Sequence, residues 1–224
     1  QANRKDRLEL EGRLVAFEQR FAKDPLLPVA DVMLAWIALD RGNVERARLL
    51  STRALARTKG RGTTADHATI IEGAALRRTG KAAAALGKLL PLRGKLIDPH
   101  ARALLNEELT TSAVLAKHYV QAIDFMLDWL NESAVDNRVE IREKLAHLAS
   151  SIPTDELLPV LEKRRAAHPE PAHEELAVQT TLVARLAEST LSTRDQDVAS
   201  RLLDTSSALL GARADAIAAL ARGG

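Results

Sequence analysis

Apolar side chains recur along this chain at intervals of three and four residues, almost from end to end. That spacing places them on one face of an α-helix. Leu8, Leu10, Leu14, Phe17 and Phe21 roughly share a stripe and predict a helix over about 4–22. Asp24-Pro25 and Pro28 end it and restart the chain, because proline lacks the amide that a helix interior needs but is tolerated in a first turn. A helix over about 29–40 stops at Arg41-Gly42, where glycine suits a left-handed cap. Asn43 caps the next, to about Arg57. "TKGRGTT" reads as a loop. Thr63 or Thr64 opens a helix ending at "RTGK", and "AAAALGKLL" is its partner, stopped by Pro91 and Gly94. Asp98-Pro99 opens a helix to about Ala116, and a tight turn leads into "YVQAIDFMLDWL". "ESAVDN" separates that from "RVEIREKLAHLA". "SIPTDELLPVLEKRR" is a turn and short helix, and "HPEPAHEE" a loop leading into a long helix to about Glu188. "TRDQ", Thr193 to Gln196, has capping-box form and opens a helix to about Leu210. A last short helix covers Ala212 to Ala221. No alternating Val/Ile/Thr-rich run occurs, so no strand is predicted. The chain reads as all-α, with about a dozen helices.

The helices repeat. Ala35 and Gly73, Gly42 and Gly80, and Ala47 and Ala85 each stand 38 residues apart. The same step carries the first series on to Thr111, Ala149 and Ala187, and the third to Ile123 (beside Ala122), Leu161 and Ala199. The period is clear in two units, fair in the third and weak in the last two. A small residue in the first helix of a hairpin admits the second helix, and another in the second admits the next hairpin. No hairpin buries its apolar face alone, so hairpins stack. The competing reading is an irregular Ala/Leu-rich bundle whose small residues coincide by chance.

"LAWIALDRGNVERARLLSTRAL", Leu34 to Leu55, resembles a tetratricopeptide repeat. Leu34 and Ala35 fall on the family's L-G/A pair, Gly42 on its turn, and Ala47 and Ala54 on its two alanines. Asp31 stands where the family usually has Trp, Lys59 where it often has Pro, and the period exceeds the family's usual value of about 34. The match covers about Asp31 to Leu92. The resemblance implies a right-handed α-α superhelix forming one domain over 1–224: a capping helix in 1–24, clear repeats over 28–132 and divergent ones over 134–224. It also implies that the first helices of the pairs line a groove for a protein or peptide. Trp36 and Asp40 would face it in the first unit, His67, Arg77 and Arg78 in the second, and Glu108 in the third. Trp36 beside basic residues would anchor an acidic peptide, or else pack on Phe17 and Phe21.

A second stretch, "LAHLASSIPTDELLPVLEKRRAAHPEPAHEELAVQTTLVARLAE", is similar to the amino-terminal helical domain of bacterial lipoprotein activators of penicillin-binding proteins. That resemblance implies a periplasmic location, anchorage at the outer membrane through an N-terminal lipid, a role in regulating peptidoglycan synthesis, and a penicillin-binding protein as partner. The start at Gln1 and the end at Gly223-Gly224 are consistent with a piece of a longer protein. The alternative is a cytoplasmic tetratricopeptide-like adaptor.

Charge adds a third reading. The net charge is +2, but residues through Arg102 hold 20 Lys+Arg against 11 Asp+Glu, and the remainder 12 against 19. Between Arg46 and Lys95, 12 basic residues face only Asp66 and Glu72. Such a field steers anionic partners, so a basic helical module on an anionic polymer is a further candidate. Nucleic acid fits poorly, because the segment has no aromatic residue for base stacking.

Enzyme chemistry finds no foothold. Absence of cysteine excludes disulfides, cysteine zinc sites and thiol nucleophiles. His168 and His173 lack the i, i+4 spacing of paired helical ligands, so with His147 and Glu174 or Glu175 they would bind metal only by accident of the fold. Glu107-Glu108 and Glu174-Glu175 are adjacent and point apart on a helix. Ser150-Ser151 and Ser206-Ser207 lack a nucleophile elbow, and "GRG" lacks the rest of a phosphate loop. No apolar run approaches the roughly 20 residues of a membrane span. Phe125, Met126 and Trp129 read as core. The expectation is a non-catalytic scaffold without a cofactor.

Overall fold

The computed structural model describes residues 4–132, 138–171 and 173–223. The separator expected across 133–137 lies outside them. The described chain is all-α, with twelve α-helices and no strand among the described residues. They are α1 (Arg4–Arg20), α2 (Leu27–Asp40), α3 (Val44–Thr58), α4 (Thr63–Arg78), α5 (Ala82–Leu89), α6 (Pro99–Leu115), α7 (Tyr119–Glu132), α8 (Arg138–Ser151), α9 (Thr154–Ala167), α10 (His173–Thr193), α11 (Gln196–Ser206) and α12 (Ala214–Ala221). No described helix is long and apolar enough to cross a membrane.

Local chemistry explains most boundaries. Asn43 accepts from the Arg46 amide at 3.1 Å and Asp98 from the His100 and Ala101 amides at 3.2 and 3.1 Å, so both are N-caps. Gly42 and Gly80 have φ of 76° and 77°. Each turn is closed the same way: Asn43 N–H donates to Ala38 O, and Lys81 N–H to Leu76 O.

Four expectations are corrected. Helix α2 begins at Leu27, so Pro28 sits inside its first turn, where its missing amide is not needed. Helix α10 continues past Glu188 to Thr193. Its hydroxyl residues stay helical because Thr190 and Thr193 bond back to the carbonyls of Leu186 and Ser189, at 2.8 and 3.0 Å. Thr193 is therefore not a cap; Asp195 is, accepting from the Val198 amide at 3.1 Å. The helix it caps ends at Ser206, short of Leu210, and gives way to 3-10 turns at Ser207–Leu209 and Gly211–Arg213.

The chain forms two compact units, Gln1–Ala116 and Lys117–Gly224. In the first, each helix packs on the next from α1 to α6, and the odd step is closed as well: α2 packs on α4 and α4 on α6. This is the contact pattern of stacked hairpins. The 38-residue series lies in its seams, with Ala35, Ala47 and Ala85 fully buried. A Cβ on Gly73 would stand 2.5 Å from Leu89 Cγ, so the bare backbone of α4 is what admits the buried Leu89 of α5. In the preceding hairpin the equivalent positions are Ala35 and Ser51, both fully buried.

In the second unit α10 packs against α7, α8, α9, α11 and α12. Phe125, Met126 and Trp129 of α7 are all buried, as expected of core. A polar network also crosses this core. Buried Arg164 on α9 grips Glu175 of α10 through two nitrogens and reaches Asp124 of α7. Buried Gln179 accepts from Arg165 at 3.0 Å and donates to Glu175 at 3.1 Å. Charges this deep persist because each is paired and hydrogen-bonded.

Candidate functional site

The face to consider is that of the first helices, α2, α4 and α6. Helix α2 is covered on almost every side by α1, α3 and α4. Along it only Val29, Met33 and Asp40 are exposed, with Pro28 and Trp36 half-buried. Residues 29, 33, 36 and 40 are spaced by four, three and four, so they form one stripe. Exposed Leu26 lies just ahead of it. Trp36 and Asp40 thus share the uncovered face of α2. Trp36 packs against the buried cluster of α2, α3 and α4, while Phe17 and Phe21 pack on each other with their rings tilted by 40° and their centroids 5.3 Å apart. Asp40 is bonded to Arg7 of α1 at 3.0 Å, both about half exposed.

The remaining candidates are largely committed within the chain. Arg77 of α4 and Glu108 of α6 form a two-point pair, Nε to Oε2 at 2.7 Å and Nη2 to Oε1 at 2.9 Å, with both side chains mostly buried. Glu108 raises the Arg77 pKa further, against the opposing effect of burial. Arg78 donates to the Leu39 carbonyl at the end of α2. His67 Nε2 lies 3.4 Å from Asp98 Oδ2, and its Nδ1 is buried without a partner. Burial works against ionisation of Asp98, but the Ala101 and His100 amides and His67 outweigh it and hold its pKa below the usual carboxylate range. These four residues join α4 to its neighbours. The structure brings Arg77 and Glu108 together, and His67 and Arg78 each to a different partner.

Asp31 is the feature that a groove-centred reading misses. It is fully buried on α2, with Arg53 Nε at 2.6 Å and Arg57 Nη1 at 2.9 Å. Arg53 also bonds Glu18 of α1, so one cluster clamps α1, α2 and α3. Burial and the neighbouring Glu18 carboxyl push Asp31 up to about 6, against the pull of Arg53 and Arg57. The sequence signal was there: a single acid inside the apolar run "PVADVMLAW".

The basic stretch from Arg46 to Lys95 is not a bare cationic surface. At least seven of its twelve basic side chains have partners in the chain, among them Arg46 with Glu11, Arg48 with Glu45, Arg53 and Arg57 with Asp31, Arg77 with Glu108, Lys88 with Glu72, and Arg78 with Leu39 O. Most of these acceptors lie outside the stretch, where a local charge count does not see them. Glu174 and Glu175 are likewise held by arginines, Glu174 by Arg138 and Arg142 and Glu175 by Arg164. Among the described residues no cluster of His, Asp and Glu could hold a metal ion.

No family model, curated protein or solved structure matches the chain.

Proposed function

We propose that the chain is a non-catalytic protein-interaction scaffold whose first-helix face receives a segment of a partner protein. The observation that carries this reading is the single uncovered stripe of α2, from Val29 through Met33 and Trp36 to Asp40, on a helix otherwise enclosed. An exposed apolar stripe on an otherwise enclosed helix suits an apolar anchor on the partner. The pairing of Arg77 with Glu108 shifts the expected contacts away from α4 and α6 and towards α2. In its sharper form, the scaffold is the helical domain of a periplasmic lipoprotein that regulates peptidoglycan synthesis and contacts a penicillin-binding protein. That form draws on the order in 138–193, where a helix, an Ile-Pro turn, a helix with an internal proline and a long helix follow one another as in the resemblance.

Photo-crosslinking in the source cell tests both levels. A photoreactive residue at Met33 is expected to trap one partner, and the same residue at exposed Leu49 on α3 is not. Equal labelling from both positions, or none from Met33, removes the scaffold reading. A trapped penicillin-binding protein supports the sharper form. A cytoplasmic partner replaces it with an adaptor.

A further inference from the structure

Helix α1 packs on α2 as α3 packs on α4 and α5 on α6, yet it is held differently. Helix α3 buries Leu50 and Ala54, and α5 buries Leu86 and Leu89. From Asp6 onward no residue of α1 is buried, and Leu8, Leu10 and Phe21 lie exposed. The side chains that hold α1 are Glu11, Leu14, Val15 and Glu18, all half-buried. Their positions i, i+3, i+4 and i+7 put them on one stripe.

The two acids on that stripe are set among arginines. Glu11 lies 2.9 Å from Arg46 Nη1 of α3 and also bonds Arg41, just past the end of α2. Glu18 bonds Arg53 of α3. Glu11 and Glu18 are seven residues apart, and so are Arg46 and Arg53, so the two pairs run in register along the two helices. Leu14 and Val15, between the acids, rest on the apolar cluster of α2, α3 and α4. Among the described residues Arg41 and Arg46 have no acid other than Glu11. Ion pairs with an exposed arginine side add little each and are screened by salt. Lacking a buried apolar anchor, α1 is the helix of its unit that opens most readily. Its departure would leave Arg41 and Arg46 without a counter-charge beside an apolar floor.

We propose that α1 is a displaceable strap whose seat on α2 and α3 also receives an amphipathic helix of a partner protein, one with two acids seven residues apart and an aliphatic pair between them. Charge complementarity selects this occupant. A basic helix would be repelled by Arg41 and Arg46, and a wholly apolar one would leave them unpaired. The i, i+3, i+4, i+7 anchors are those of a helix laid in a groove. Helix α1 then competes from within the chain, and the apparent affinity for the partner falls with the fraction of molecules in which it is seated. The inference does not rest on the α2 stripe, and its failure leaves the scaffold reading intact.

The probe is a fluorescein-labelled peptide of residues 4–23, titrated by anisotropy into the full chain and into the full chain carrying Glu11→Gln and Glu18→Gln. Trp36 fluorescence checks that the variant is folded. Saturable binding is expected, at least about tenfold tighter for the variant, because its own α1 competes less. A peptide with the same two glutamines should bind either chain at least about tenfold more weakly, and the gap between the two peptides should shrink between about 50 and 500 mM salt. No saturable binding to either chain, equal affinity for the two chains, or equal binding of the two peptides overturns the proposal. So does a dimer of the unsubstituted chain in sedimentation that the two glutamines abolish, which would give the seat to α1 of a second copy.

Discussion

Replacing Gly73 with alanine tests the seam between α4 and α5 directly. The added Cβ would stand 2.5 Å from both Cγ and Cδ2 of Leu89 and 2.8 Å from Cδ1. Leu89 is fully buried and has no open side to move into. Overpacking of this kind costs about 1–3 kcal/mol, while alanine in place of glycine inside a helix returns about 1 kcal/mol. Gly73→Ala is therefore expected to lose up to about 2 kcal/mol net. Leu89→Ala alone should cost about 2–5 kcal/mol through the cavity it leaves. In that background the clash is gone, and Gly73→Ala should stabilise by about 1 kcal/mol. The change in the effect of the same substitution is the signature, a coupling of about 1–3 kcal/mol between touching residues. Gly87→Ala, in the same short helix with nothing within 4 Å of its added carbon, should simply stabilise by about 0.5–1 kcal/mol. Trp36 and Trp129 are the two tryptophans, one in each unit. Urea unfolding in a Trp129→Phe background, followed by Trp36 fluorescence, thus reads the first unit alone. If Gly73→Ala stabilises on its own, or if the two substitutions add within about 0.5 kcal/mol, the close seam is wrong.

Three further outcomes are expected. Asp31 is raised from 3.8 to about 6, so the folded state holds its proton more tightly than the unfolded state; the resulting stabilisation is complete below about pH 4 and is lost as pH rises through about 6, a change of about 3 kcal/mol. The stability of wild type minus Asp31→Asn should therefore fall between pH 4 and 7 in urea titrations, and a difference independent of pH would refute the assignment. Arg77→Ala and Glu108→Ala should each cost about 2 kcal/mol, and the double variant little more than either, because each single change strands a mostly buried charge; thermal unfolding of the three checks this. Asp195→Ala should lose about 1 kcal/mol as a true cap, and Thr193→Ala less than about 0.5 kcal/mol, measured by urea unfolding; the reverse order would restore Thr193 as the cap.

How far the sequence reached depended on how local each cause is. Asn43, Gly42, Gly80 and Asp98 act within a few bonds of themselves, and the turns and caps they form were legible. The end of α10 was not. Serine and threonine in "AESTLST" suit either a helix exit or back-bonding to the previous turn, and packing against the rest of the second unit decides for the helix. The 38-residue series marked the seams of the first unit correctly, since backbone approach demands small residues wherever it occurs. It did not show that Gly73 answers to Leu89.

The candidate surface was the least legible, for a related reason. Helical register can say that Trp36, Asp40, Arg77 and Glu108 occupy first-helix positions. It cannot say which of them are already used. Arg77 and Glu108 are 31 residues apart and Asp31 and Arg53 are 22 apart, so the first pairing exists only once hairpins have stacked and the second only once α2 and α3 have closed on each other. A charged side chain becomes a candidate contact only after its own neighbours have been counted. By that measure the exposed apolar pair Val29 and Met33, which no charge pattern marked, has more to offer a partner than the arginines that drew attention first.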